Sequence, residues 1–328
     1  MLEFEYAAVL RDQIIEPRGQ KQPLSFGGGK KKEKKRNFMK KYASYFCVIV
    51  GASLWGFIGL FTRQLAAAGV SVMNIVTIRN FGGMVLLVLI FLVKDRSVFR
   101  IRWKHLPIFL GTGLISVLSL AWCYFSCQQI CSLAVAGILL YLAPSFVVLM
   151  SAVLWKEPLT KRKIAALVLA LAGCALVSGV IGGRFDISLK GFLLGVGAGF
   201  SYATYTVFAH YALQHYGSYT LIVWTFIVSG VGSLLFLQPD GMAQAFTQPG
   251  ALWAMAGLVV IATVLPYFFY THGLTGVEGG KASIIASVEP VVASLIGIFV
   301  FHETPTLWVV LGIVCVLGGV VLLAREET

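Results

Sequence analysis

Charged side chains are scarce in this chain. Only 12% of its 328 residues are Asp, Glu, Lys or Arg, against about 25% in a soluble domain. Acidic residues are the scarcer half, 14 against 26 Lys and Arg. Reactive signatures are missing too. There is no GxSxG, no HExxH and no GxxxxGK[ST], which excludes a nucleophile elbow, a zincin helix and a P-loop. With no nucleotide-binding segment, direct use of ATP would need a separate subunit. The five histidines are scattered, and only His302 adjoins an acid inside or at the edge of an apolar run, namely Glu303. No catalytic residue is expected.

The six cysteines lie in or beside apolar runs and imply no disulfide framework. Cys123, Cys127 and Cys131 are spaced four apart and would share a helix face. A soft-metal site would call for His or further Cys nearby. A packing role for small polarizable side chains is the simpler reading. No metal and no cofactor are expected.

What is present is apolar length. The chain is 58% hydrophobic, with mean hydropathy +0.85. A membrane-spanning helix needs about 20 apolar residues to cross a core ~30 Å thick. Ten such runs can be marked, at 43–62, 72–93, 105–127, 132–154, 163–180, 189–212, 217–237, 249–272, 280–301 and 306–324. Lipid offers no hydrogen bonds, so runs of this length are helices.

The net charge of +12 follows membrane topology, not nucleic acid. With the N-terminus in the cytoplasm, the inner side receives 22 of the 26 Lys and Arg, the outer side three, and Arg79 lies inside a run. Positive residues concentrate on cytoplasmic loops, so both termini are placed inside. Residues 1–42 are polar and basic, and are expected to be a disordered cytoplasmic tail. Met39-Lys40-Lys41 would make a natural start just before the first run.

The sequence is duplicated. Residues 133–177 align without a gap on 279–323, an offset of 146. Pro144 falls on Pro290, Glu157 on Glu303, Thr160 on Thr306 and Gly173 on Gly319. At the same offset Gly51-Ala52 meets Gly197-Ala198. Runs 1–5, residues 43–180, therefore repeat as runs 6–10, residues 189–324. Five is odd, so the second copy enters the membrane from the opposite side. The expected fold is all-α and integral to the membrane, with ten transmembrane helices in two inverted five-helix repeats. That arrangement places a shared cavity near the midplane, open to either side in turn, and is chiefly a transporter signature.

Candidate site residues follow from charge and polarity inside the runs. Arg79 and Glu289 are the two charges well inside the slab, each costing about 2.5–3.5 kcal/mol at a helix centre. Their depths differ by only ~6 Å on the helical rise. Either they pair, or both line an aqueous cavity, Arg79 holding a substrate carboxylate and Glu289 a proton or an amine. A snorkelling Arg79 is the bland alternative. Among Trp55, Tyr124, Tyr141, Tyr202, Tyr205, Tyr267 and Tyr270, the cavity candidates taken forward are Trp55, Tyr141, Tyr202 and Tyr267. Pro144 and Pro290 are read as paired kinks that shape a gate. Glu157 and Glu303 are read as structural helix-end residues that cap neighbouring helices.

Taken together, Leu54-Trp55-Gly56, Ile78-Arg79-Asn80-Phe81, Tyr141-Leu142-Ala143-Pro144, Glu157 and Gly173 resemble the EamA-type permeases of the drug/metabolite transporter superfamily. In the second copy the resemblance rests on Pro266-Tyr267, Val288-Glu289-Pro290, Glu303 and Gly319, and it covers residues 42–324. It implies two EamA repeats in the cytoplasmic membrane, and gradient-driven or facilitative movement of small metabolites. Export of amino acids or related compounds is the leading expectation. A multidrug exporter, an importer, or a non-transport intramembrane enzyme or scaffold are the alternatives. Expected partners are a small-molecule substrate, protons as a candidate coupling ion and the lipid bilayer, with no nucleic acid; monomer and homodimer stay open. His302 departs from the glycine usual before this glutamate, and the basic tail is atypical.

Overall fold

The computed structural model describes residues 28–131, 133–177, 188–239, 242, 246 and 248–324. The chain divides into two units, 1–39 and 40–328, and every contact below lies within the second. The described residues form helices and no strand. Eight helical stretches are long and apolar enough to cross a membrane, from Tyr42–Ala67 to Gly279–Val300. Two shorter helices complete the set of ten, Lys161–Val177, which opens on three basic residues, and the apolar Leu307–Ala324.

Span 1 joins α1 (Gly28–Trp55) to α2 (Ile58–Ala67). The backbone of α1 is already helical at Gly28, inside the stretch expected to be disordered. A lysine-rich run is a good helix former and extends a helix already nucleated. The expectation for residues 1–27 lies outside the described residues. Span 2 is α3 (Val72–Lys94), opened by the Ser71 hydroxyl, which accepts from the Asn74 amide at 3.2 Å. Span 3 runs through α4 (Leu106–Leu110), a π-helical stretch Gly111–Leu118 and α5 (Ser119–Ile130). Span 4 is α6 (Leu133–Leu140) and α7 (Ala143–Trp155), and span 5 is α8 (Lys161–Val177).

The second repeat reproduces this list. Span 6 is α9 (Leu189–Leu213) and span 7 is α10 (Ser218–Ser233). Span 8 is α11 (Pro249–Val259), a π-helical stretch Val260–Val264 and α12 (Leu265–Gly273). Span 9 is α13 (Gly279–Ala286) and α14 (Glu289–Val300), and span 10 is α15 (Leu307–Ala324).

The duplication extends to backbone irregularities. The second π stretch lies 146 residues beyond the last five residues of the first. The breaks between α6 and α7 and between α13 and α14 are also 146 apart. Here the structure goes further than the expected kinks. Spans 4 and 9 are interrupted, and Pro144 and Pro290 sit in the first turn of α7 and α14. A proline there sacrifices no hydrogen bond of its own helix, because first-turn amides have no intrahelical acceptor. After each span the chain turns on a left-handed residue, Lys156 and His302, both with φ 55°. The amides of Glu157 and Glu303 then return to Ser151 O and Gly297 O at 3.3 and 3.0 Å. Glycine adopts that left-handed geometry without steric cost, which fits the glycine that the resemblance leads one to expect at position 302. The caps of α8 and α15 are Thr160 and Thr306, accepting from the amides of Lys163 and Val309 at 3.1 and 3.3 Å. Glu157 and Glu303 are thereby free for other work.

Packing between repeats is mirrored as well. Spans 5 and 10, 2 and 7, and 4 and 9 each face their own counterpart. Span 1 on span 8 matches span 6 on span 3. Glycines set the closest approaches, as lipid-embedded interfaces require. A Cβ on Gly51 would stand 2.9 Å from Pro266 O, and one on Gly199 2.8 Å from Leu139 O at the span 4 break.

Gly318 and Gly319 make a matched test of this packing. A Cβ on Gly318 meets nothing within 4 Å, whereas one on Gly319 lies 2.9 Å from Ala166 O. Gly318→Ala should hold or raise the thermal midpoint, by up to about 1 kcal/mol of helix propensity. Gly319→Ala should lower it. Size-exclusion profiles after heating would measure both, and equal midpoints would rule out this account of the span 5–10 contact.

Candidate functional site

A cavity of about 530 Å³ lies between the repeats. It is lined by spans 1, 2, 3, 4, 6, 8 and 9, with Val177 from the end of span 5. It opens at the end where α2 finishes and α3 begins, beside Thr62, Arg63, Val72 and Glu303. Its inner end reaches the break of span 9 at Glu289 and Pro290, and Tyr141, the first residue of the span 4 break.

The floor is aromatic. Trp55 is 3% exposed. Its ring meets Tyr267 at 5.2 Å and Tyr202 at 5.9 Å, both edge to face, and Tyr270 at 5.2 Å. Tyr267 is in turn edge-on to Tyr205 and Phe226, each at 5.2 Å. Quadrupoles favour these arrangements, worth about 0.5–1.5 kcal/mol per pair beyond burial. Beneath, Tyr205 OH and Thr271 Oγ1 share a hydrogen bond of 2.6 Å and Thr206 Oγ1 and Tyr270 OH one of 3.2 Å, tying span 6 to span 8.

All six residues proposed for the cavity from sequence line it: Trp55, Arg79, Tyr141, Tyr202, Tyr267 and Glu289. Tyr124 lines it too, while Tyr205 and Tyr270 form the layer behind. Pro290 reaches the wall and Pro144, buried, does not. Among the described residues no ion pair joins Arg79 to Glu289. Both charges face the same space. Arg79 Nε, Trp55 Nε1 and Tyr202 OH are buried with no hydrogen-bond partner. An unpaired buried polar group costs about 1–3 kcal/mol, and three of them lie in this one wall.

Further lining residues escaped the sequence reading. Thr62 and Arg63 follow Trp55 and Gly59 at helical spacing, Gln128 follows Tyr124, and Ser294 follows Pro290. That period was the available signal. Glu303, expected to cap a helix, accepts from Arg63 Nη1 at 2.8 Å, both side chains about half exposed at the mouth. Glu157, given the same expectation, accepts from Lys163 Nζ at 2.8 Å at the opposite end. Lys163 is 1% exposed and also lies 3.6 Å from Glu278, as does Lys281. This charged lattice closes the molecule below the aromatic floor.

The arrangement offers a planar guanidinium that can take a carboxylate bidentately, a carboxylate for an ammonium group or a proton, and aromatic faces between them. It offers no nucleophile–base pair. Arg79 and Lys163 are therefore expected to behave oppositely. Arg79→Met should leave the thermal midpoint of the empty protein unchanged or higher, because it removes an unpartnered group. Lys163→Met should destabilise by about 3–5 kcal/mol, because it strands a part-buried carboxylate. Thermal-shift measurements in detergent decide this. A comparable loss in both variants would make Arg79 a structural residue.

The family model described as "EamA-like transporter family" matches residues 43–179 and 189–325, again 146 apart. A protein of Archaeoglobus fulgidus named "Uncharacterized transporter" is 30% identical over 85% of this chain and 95% of its own length. The "Uncharacterized inner membrane transporter YicL" of Salmonella typhimurium is 25% identical over 85% of this chain and 94% of its own. A solved structure described only as "Crystal structure of protein" superposes with TM-score 0.73 at 20% identity, covering 87% of this chain and 99% of that one, a likeness of fold. The chain is a multi-pass membrane protein belonging to the EamA-like transporter family.

Proposed function

We propose that the protein is a secondary carrier that moves a small zwitterion, an amino acid or a close relative, outward across the cytoplasmic membrane by alternating access. The observation that carries this reading is the cavity wall. Arg79 and Glu289 face one space unpaired with each other, beside unpartnered Trp55 Nε1 and Tyr202 OH. A carboxylate on Arg79 and an ammonium group toward Glu289 would satisfy both charges at once. The aromatic floor would hold the side chain or, through the ring faces, the cation.

Orientation follows from charge. With both termini in the cytoplasm, 22 of 26 Lys and Arg fall on the inner side. The open mouth at Arg63 then faces outward, and the Lys163 lattice seals the cytoplasmic face. No step uses ATP, and Glu289 is the proton carrier if flux is coupled to a gradient. A volume of about 530 Å³ exceeds a small amino acid and falls within the range of drug-sized pockets. That favours bulky substrates and keeps multidrug export as the second reading.

The test is counterflow in liposomes with labelled amino acids, nucleosides, sugars and aromatic cations, with and without a pH gradient. Amino-acid counterflow is expected, weakened at least about tenfold by Arg79→Ala, a loss of about 1.4 kcal/mol or more. Glu289→Gln should remove any response to the pH gradient. Absence of counterflow for every amino acid would defeat the zwitterion reading. Counterflow of aromatic cations alone would favour the multidrug one.

A further inference from the structure

Both ends of the molecule carry the same three-part arrangement. At the open mouth the Arg63 guanidinium lies over the Phe301 ring, 4.4 Å from its centroid, and pairs with Glu303. At the opposite end is a second cavity of about 370 Å³, lined by Trp155, Glu157, Thr206, His210 and residues 274–279. There the His210 ring lies against Trp155, centroids 4.0 Å apart. Trp155 and Glu157 stand 146 positions before Phe301 and Glu303, and His210 is one residue past the counterpart of Arg63. Aromatic and glutamate thus recur in register, with a basic side chain one position out. One contact differs. Glu303 is held by Arg63, whereas Glu157 is held by Lys163 and, among the described residues, makes no ion pair with His210. Trp155 Nε1 is buried there without a partner.

We propose that the second cavity is the other mouth of the translocation path, shut in this structure, and that His210 is its gate residue: when this mouth opens, His210 takes the place on Glu157 that Arg63 holds on Glu303. The proposal rests on the carrier reading above. Inverted repeats that exchange conformations rewrite the contacts of one mouth in the other. The path admits the same small solute at both ends.

The two gates differ in chemistry. Arginine is charged at every physiological pH, whereas histidine changes charge between about pH 5 and 8. The groups around His210 are Glu157 from the turn after α7, Lys163 from α8, Glu278 and Lys281 at the start of α13, and Tyr211 beside it. In the shut form Glu157 is already engaged by Lys163. In the open form a charged His210 would gain Glu157. Protonation therefore favours opening of this mouth, a population shift set by the differential interaction. Neutral His210 stays on Trp155.

Double electron–electron resonance tests this on the full chain in nanodiscs, with the six native cysteines replaced. One label pair, Leu159→Cys and Thr275→Cys, spans the shut mouth. A second, Gln64→Cys and Thr304→Cys, spans the open one. Lowering the pH from about 8 to about 5 should add a longer component to the first distribution and a shorter one to the second. His210→Arg should show both at pH 8, and His210→Ala at neither pH. Glu157→Gln, which releases Lys163, serves as a pH-independent opener. If that variant moves both pairs reciprocally while pH and His210→Arg do nothing, the His210 assignment is wrong and the carrier reading stands. If neither pair moves in any variant or at any pH, both fall.

Discussion

Lipid supplies no hydrogen bonds, so a helix may be interrupted inside a bilayer only where protein or a watered cavity takes over. The breaks in spans 4 and 9 obey that constraint. Gly199 of span 6 presses on the carbonyls of Leu139 and Leu140, and Gly56 of span 1 approaches the carbonyl of Glu289. The span 9 break opens on the central cavity at Glu289 and Pro290. A helix that starts mid-membrane brings the positive end of its dipole to the site, which favours an acid in its first turn. Glu289 is that acid in α14, and Ala143 stands at the same place in α7. One repeat supplies shape alone; the other supplies shape and charge.

Several polar side chains away from the cavity bond across spans, while others, including Trp224 Nε1 and Ser229 Oγ, are buried without a partner among the described residues. Thr112 joins Thr225 and Ser116 joins Thr204, each at 2.8 Å, linking span 3 to spans 7 and 6. Asn74 bridges to the backbone of Gln238 twice, at 2.8 Å each way. Those in the wall are left open at Arg79, Trp55 and Tyr202. A folded state that tolerates such groups must recover their cost elsewhere, and the glycine-tight interfaces between repeats are where backbone contact is densest.

Much of this was legible in the sequence. The repeat and its inversion could be read because proline, glutamate, threonine and glycine are rare enough in apolar sequence for one frame to be informative. The cavity charges could be read because no other charge lies so far from the ends of the apolar runs. The interruptions could not, since a mid-helix proline permits either a bend or a fresh start, and only the packing of Gly199 and Gly56 chooses between them. The π-helical stretches were hidden for a different reason: LISVL and VIATV share a position but only one aligned residue, an isoleucine. The pairing of Arg63 with Glu303 was hidden because each is unremarkable alone; it joins residues 240 apart, a separation no local pattern reveals.

Spans 5 and 10, 2 and 7, and 4 and 9 each meet their own counterpart. A lone five-span unit would accordingly present self-matching faces to an upside-down twin. Such a unit could assemble only where a membrane held both insertions of it in similar numbers. Joining the two copies end to end removes that requirement, and it frees each half to specialise, as Ala143 and Glu289 illustrate.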